Sequence, residues 1–128
     1  MTPLQRDIAA RTVDHQLEQL RRSNTLGTTV ALGTDSGSYG VLHGNSVAEE
    51  LRFLLEAGFS LESAVQSATV NGAQLLGLAK EIGRIAPGFP ASFVAVEGSP
   101  ANLMEQIDTP HSVWVRGEIF NQVRQEQL

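Results

Sequence analysis

Apolar residues recur along the chain at helical spacing in some stretches and in alternation in others. Over residues 3–22, Leu4, Ile8, Val13, Leu17 and Leu20 fall on or near one face while Arg6, Arg11, Glu18 and Arg22 stay largely off it, which predicts an amphipathic helix. Thr2 and Gln5 have capping-box spacing, Pro3 suits the first helical position, and Ser23, Asn24 and Gly27 end the run. Residues 28–33 alternate instead: Thr28, Val30 and Leu32 make a bulky side, and Thr29, Ala31 and Gly33 a small one. That pattern predicts a strand buried on both faces. Helical spacing returns over 46–57, where Ser46 and Glu49 have capping-box spacing, Val47, Leu51, Leu54 and Leu55 form an inner face, and Gly58 is the stop. A third helix opens at Ser60, and a fourth covers 71–76 with Gly77 closing it. Ala64, Ala68, Gly72 and Ala73 let these short helices approach closely.

From Lys80 onward Gly83, Pro87, Gly88 and Pro90 interrupt any regular element, with a short extended piece at Ile85. Residues 92–96 read as a strand and 101–106 as a helical turn. Residues 112–115 and 118–123 read as two strands around the tight Arg116-Gly117 connection, and the polar end at 124–128 is expected to fray.

Composition narrows the function classes. The 128 residues suit one domain of ordinary size, and 41% apolar with 18% charged residues allows burial and argues against disorder. A net charge of -5 with nine scattered basic residues opposes nucleic acid as a partner, because neutralising phosphates needs clustered Lys and Arg. With no cysteine there is neither a disulfide nor a thiolate metal site, which fits the cytoplasm. No apolar run approaches the ~20 residues of a membrane span, so no membrane association is expected.

The alternating stretch stops at Gly33 and is followed by Thr34, Asp35, Ser36 and Gly37. Asp35 therefore stands just past the carboxyl end of a predicted buried strand, where parallel α/β barrels place catalytic side chains. The same Asp-Ser-Gly triplet also suits a plain turn, with the carboxylate bonded to nearby amides. His43, in the glycine-rich loop 36–45, has two readings as well: ordering the loop or capping the next helix, or binding substrate. His15 lies among polar helical neighbours and His111 at a strand start, and both read as surface residues.

The ordered strings ALGTDSG, HG, AEELRFLLEAGFSLESAVQSATVNGAQLLGL, EIGRIAPGFPASFVAV and VWVRGEIF resemble the C-terminal part of metal-dependent amidohydrolases, in the imidazolonepropionase-like and prolidase-like branch. The resemblance implies an α/β fold: the last strand and helices of a (β/α)8 barrel in residues 1–79, and the C-terminal strands of a small β-sandwich in residues 80–128. It implies that Asp35 is the metal-site aspartate, both a ligand and the proton acceptor for the attacking water. It also implies that His43 is a loop histidine at the substrate mouth. The expected cofactor is a divalent metal, zinc by preference, and the expected partner a small-molecule substrate with a carbon–nitrogen bond. One departure is Ser92, where the family usually carries the Asp of Gly-x-x-Ala-Asp; it concerns a turn rather than chemistry.

A second departure matters more. The family's His-x-His and the histidines of its middle strands have no counterpart among His15, His43 and His111, and a catalytic zinc takes three protein ligands. One barrel strand cannot close a barrel, so the barrel is expected to be incomplete, the chain alone inactive, and its strand covered by a missing barrel portion or by another copy in a homo-oligomer. Two alternatives stand beside the enzyme fragment: a non-catalytic assembly module that pairs with itself or with a separately encoded barrel portion, and a truncated product without activity.

Overall fold

Local capping chemistry sets the first element of the computed structural model, which describes residues 2–120. Helix α1 (Pro3–Thr25) starts at Thr2, whose hydroxyl accepts from the Gln5 amide at 3.2 Å while its own amide donates to Gln5 Oε1 at 2.7 Å. The predicted capping box is therefore present, and the helix runs three residues beyond the expected end at 22. Its apolar stripe is covered only in part: Leu17 is buried, whereas Leu4 and Ile8 are 68% and 55% exposed. No helix among the described residues is long and apolar enough to cross a membrane.

Helices α2 (Asn45–Glu56), α3 (Leu61–Ala68) and α4 (Val70–Leu75) follow. In α2 the structure corrects two expectations. Gly44, at φ +89°, turns the chain into the helix, which puts Ser46 inside the first turn; the N-terminus has no side-chain cap. The Ser46 hydroxyl is taken instead by the Leu42 carbonyl and by Ser36. The inner face is Ala48, Leu51 and Leu54, with Val47 exposed. Helix α3 opens at Ser60 as expected, and Ser60 caps it, accepting from the Ser63 amide at 3.1 Å.

Leu17, Leu51, Leu54, Ala57, Phe59 and Ala64 form the core, with Leu20, Val30, Leu32, Leu55, Met104 and Ile107 packed against it. Gly83 shows how close the chain comes to α4: a Cβ there would lie 2.7 Å from that of Ala73 and 3.0 Å from the Thr69 carbonyl oxygen, and its φ is +91°. Only glycine fits such an approach.

The small sheet matches the expected strands. Strands β1 (Phe93–Ala95), β2 (Ser112–Val115) and β3 (Glu118–Phe120) pair antiparallel in that order, with Phe93 opposite Trp114 and Trp114 opposite Ile119. The Phe93 and Trp114 rings stack with centroids 5.8 Å apart. Arg116 and Gly117, at φ +53° and +88°, make the two-residue turn, the left-handed pair that matches strand twist. The expected continuation of the last strand to 123 and the polar end lie outside the described residues. Before β2, a 3₁₀ turn (Pro100–Asn102) leads into α5 (Leu103–Gln106), and Arg52 of α2 bonds to the Met104 carbonyl at 3.2 Å and to Asp108.

Residues 28–33 are the main correction to the fold expected from sequence. They belong to no strand, because a strand is defined by lateral partners and the three strands among the described residues pair with one another.

Between α1 and α2 a groove is lined by Val13, Leu17, Leu20, Phe53 and the half-buried Glu50. Burial, with a smaller contribution from the Glu49 charge, raises the Glu50 pKa above its ordinary 4.5. The folded chain then holds this proton more tightly than the unfolded chain does. The contribution of Glu50 to stability is therefore fully present below 4.5 and is lost as pH rises through the folded-state value. Glu50→Gln is expected to raise the urea midpoint at pH 7 and leave it unchanged near pH 4; an equal shift at both pH values would contradict this origin.

Candidate functional site

The extended stretch ahead of Asp35 is held from one side by helices. The Leu32 amide donates to the Ser67 carbonyl at 3.0 Å, and Asn71 Nδ2 donates to the Val30 carbonyl at 2.8 Å. Behind it, the Thr28 amide donates to the Ser23 carbonyl at 3.0 Å, and Asn24 Nδ2 ties the end of α1 to the Gly58 carbonyl at 2.8 Å. Val30 and Leu32 rest on the core, so the segment is fixed in both direction and rotation.

Asp35 ends this rod in the left-handed region, at φ +50°, which Asp tolerates better than most residues. Its Oδ2 accepts from the Ser38 hydroxyl at 2.9 Å and its carbonyl from the Ser38 amide at 3.3 Å, while the Gly37 amide closes onto the Val41 carbonyl at 3.1 Å. A turn with Gly37 at positive φ, as read from Asp-Ser-Gly, is therefore present, but the carboxylate takes the Ser38 hydroxyl and not the nearby amides that the reading assigned to it. The Asp35 side chain is exposed, and among the described residues its only side-chain partner is Ser38.

His43 is exposed in the same loop, and its ring borders Gly37: a Cβ on Gly37 would lie 3.6 Å from His43 Nε2. The loop thus brings His43 up to the Asp35 turn, although no hydrogen bond joins the two among the described residues. His15 is exposed, and His111 reaches only the exposed Glu97, at 3.3 Å.

The donor set among the described residues does not make a metal site. No three His, Asp or Glu side chains converge among the described residues, whereas a catalytic zinc takes three protein ligands. Asp35 and His43 are too few. Two surface hollows also lie away from Asp35: one flanks the beginning of the extended segment, between Thr28, Phe59 and Asn71, and the other is the Glu50 groove.

Sequence reasoning treated the third and fourth helices as plain packing elements and so missed Ser67 and Asn71, which grip the segment. It read Asn24 only as part of the helix end, without its bond to the Gly58 carbonyl, and it missed the hydroxyls flanking Asp35. Thr34 Oγ1 lies 2.6 Å from Ser36 Oγ, which in turn lies 3.1 Å from the Oγ of the buried Ser46. An Asn in a short helix has no local pattern that announces a partner 41 residues away.

Comparison with known proteins covers nearly the whole chain. Residues 5–120 match the family model described as the amidohydrolase family. An amidohydrolase from Thermotoga maritima superposes with a TM-score of 0.67 at 25% identity, covering 83% of this chain and 26% of that one. A Xaa-Pro dipeptidase, solved with methionine bound in its active site, gives a TM-score of 0.73 at 29% identity, covering 83% and 25%. A further amidohydrolase gives 0.66 at 26% identity, covering 84% and 26%. The chain thus spans about a quarter of the length of these solved structures. No curated protein sequence matches it.

The grip of Asn71 is open to direct test. Asn71→Leu strips the Val30 carbonyl of its partner and is expected to lower stability by about 1–3 kcal/mol, read as a shift of the urea midpoint, with faster exchange of the Leu32 amide. An unchanged midpoint and unchanged exchange would mean that the bond holds nothing in place.

Proposed function

This chain belongs to the amidohydrolase family, and from that premise we propose that it is one portion of a cytoplasmic, metal-dependent hydrolase acting on carbon–nitrogen bonds in small cyclic or peptide-like substrates. The observation that carries the proposal is the family match over residues 5–120, with Asp35 at the carboxyl end of an extended segment backed by helices. In this reading residues 28–33 become the last strand of a (β/α)8 barrel once neighbouring strands lie beside them. Residues 1–79 belong to that barrel and residues 80–128 to the accompanying β-sandwich.

Asp35 is assigned the proton work. Its exposed carboxylate accepts a proton from the attacking water and delivers it to the leaving nitrogen, a role general bases of this kind fill with rate effects of about 100- to 10,000-fold. The remaining ligands for a divalent metal, zinc by preference, come from the rest of the enzyme, since no three converge among the described residues. The loop 36–45, with His43, lines the substrate mouth. The Xaa-Pro dipeptidase among the similar structures favours peptide-like substrates.

A second reading, a non-catalytic assembly module, draws on the uncovered apolar stripe of α1 and on the free edge of the extended segment. Both readings leave apolar surface that another polypeptide has to cover. The purified 128-residue chain is therefore expected to sediment as a self-associated species, or to become monodisperse only with a barrel partner. A well-behaved compact monomer would count against both. In an enzyme containing the whole barrel, Asp35→Asn is expected to lower kcat/KM by about 100- to 10,000-fold with an unchanged circular dichroism spectrum, and undiminished turnover would remove Asp35 from the mechanism.

A further inference from the structure

We propose that Thr34, Ser36 and Ser46 form a one-way chain of hydroxyl hydrogen bonds that fixes the backbone on both sides of Asp35 from the first turn of α2, which makes Ser46 a positioning residue for that carboxylate. The importance of this chain rests on the reading of Asp35 as the reactive carboxylate; its existence does not.

Hydrogen-bond accounting fixes the direction. A carbonyl only accepts, so the bond between Ser46 and the Leu42 carbonyl uses the single proton of the Ser46 hydroxyl. The Ser46 oxygen is then left to accept, and Ser36, 3.1 Å away, must donate to it. With that proton committed, the Ser36 oxygen accepts from Thr34 at 2.6 Å. The Thr34 oxygen in turn accepts from the Ser36 backbone amide at 3.3 Å, and every proton is placed. Bonds aligned head to tail in this way polarise and strengthen one another.

Two features separate this arrangement from ordinary loop packing. First, it spans the loop: Thr34 and Ser36 stand at its beginning, Leu42 and Ser46 at its end, so the chain draws the two ends together at the base and leaves residues 37–41 as a closed turn over Asp35. Second, it takes Ser46 away from other work. The sequence offers Ser46 and Glu49 as a capping box, yet α2 begins without any side-chain cap. Ser46 is only 3% exposed and Thr34 and Ser36 are half-buried, so water competes poorly for these hydroxyls. Asp35, whose own side chain is tied only to Ser38, depends on its flanks to stay in its left-handed conformation.

The test uses NMR of the full 128-residue chain. Three-bond couplings give the φ and side-chain rotamer of Asp35, and hydrogen exchange gives the protection of the Ser36 amide. Thr34→Val and Ser46→Ala are each expected to turn the single Asp35 rotamer into an average and to speed Ser36 exchange by about tenfold, with little added by combining them. Thr34→Ser, which keeps the hydroxyl, is expected to restore both signals. Phe93→Leu in the distant sheet, chosen as a general destabiliser, is expected to leave Asp35 unchanged. Unaltered Asp35 couplings in Thr34→Val, or the same change in Phe93→Leu, would overturn the proposal. If Ser46→Ala does not fold, the comparison of Thr34→Val with Thr34→Ser decides alone. Failure of the hydrolase reading shows separately, as retained turnover in Asp35→Asn, and leaves these NMR outcomes as they stand.

Discussion

The molecule depends on how an extended stretch is held without a sheet. Between Gly27 and Asp35 the backbone belongs to no strand, and its hydrogen bonds run to helices: Leu32 to the Ser67 carbonyl, and Asn71 to the Val30 carbonyl. Ser67, at 1% exposure, is the most buried polar residue among those described, and its hydroxyl is satisfied by the Ala64 carbonyl at 2.6 Å. Its backbone oxygen is thereby placed beside Leu32 by a helix that cannot easily move. Everything downstream inherits this registration. Val30 and Leu32 sit on the core, Thr34 reaches the hydroxyls near α2, and Asp35 is presented at the end.

The same constraint leaves the Ala31 and Gly33 amides without backbone partners among the described residues. A backbone pinned along one side still needs partners for its remaining amides, since buried polar groups without partners are costly. Apolar side chains tell the same story: eight are buried among the described residues, while sixteen large ones are exposed. A core of that size rests largely on Leu51 and Leu54 of one helix. The stripe of α1 shows the imbalance most plainly, with its second half against α2 and its first half uncovered. An amidohydrolase portion covering about a quarter of the length of similar solved structures would leave just such surfaces.

What the sequence made legible was what neighbouring residues decide among themselves. The Thr2 and Gln5 capping box, the helix opening at Ser60 and the Arg116-Gly117 turn each depend on four residues or fewer, and each formed as read. Alternation over 28–33 was read as a strand, and the described residues offer it no strand partners; alternation cannot show partners, because pairing is non-local. Ser46 was misread for a related reason: the spacing to Glu49 is a genuine capping signal, and it lost to Leu42 and to Ser36 ten residues upstream. Asn24, Ser67 and Asn71 carry no local signature, since each acts on backbone more than thirty residues away. Asp35 is singled out by its place after the alternating run and by family resemblance. Its left-handed backbone and its Ser38 partner emerged only with the loop.

The central claim is that the segment ahead of Asp35 is held along one side and open along the other. Residue-resolved hydrogen exchange on the native chain tests it most directly. The account predicts a protected Leu32 amide between rapidly exchanging amides at Ala31 and Gly33, which donate no bond among the described residues. Uniform protection from Thr29 to Gly33 would mean that the segment already lies within a sheet, and exchange of Leu32 as fast as its neighbours would mean that the helices do not hold it at all.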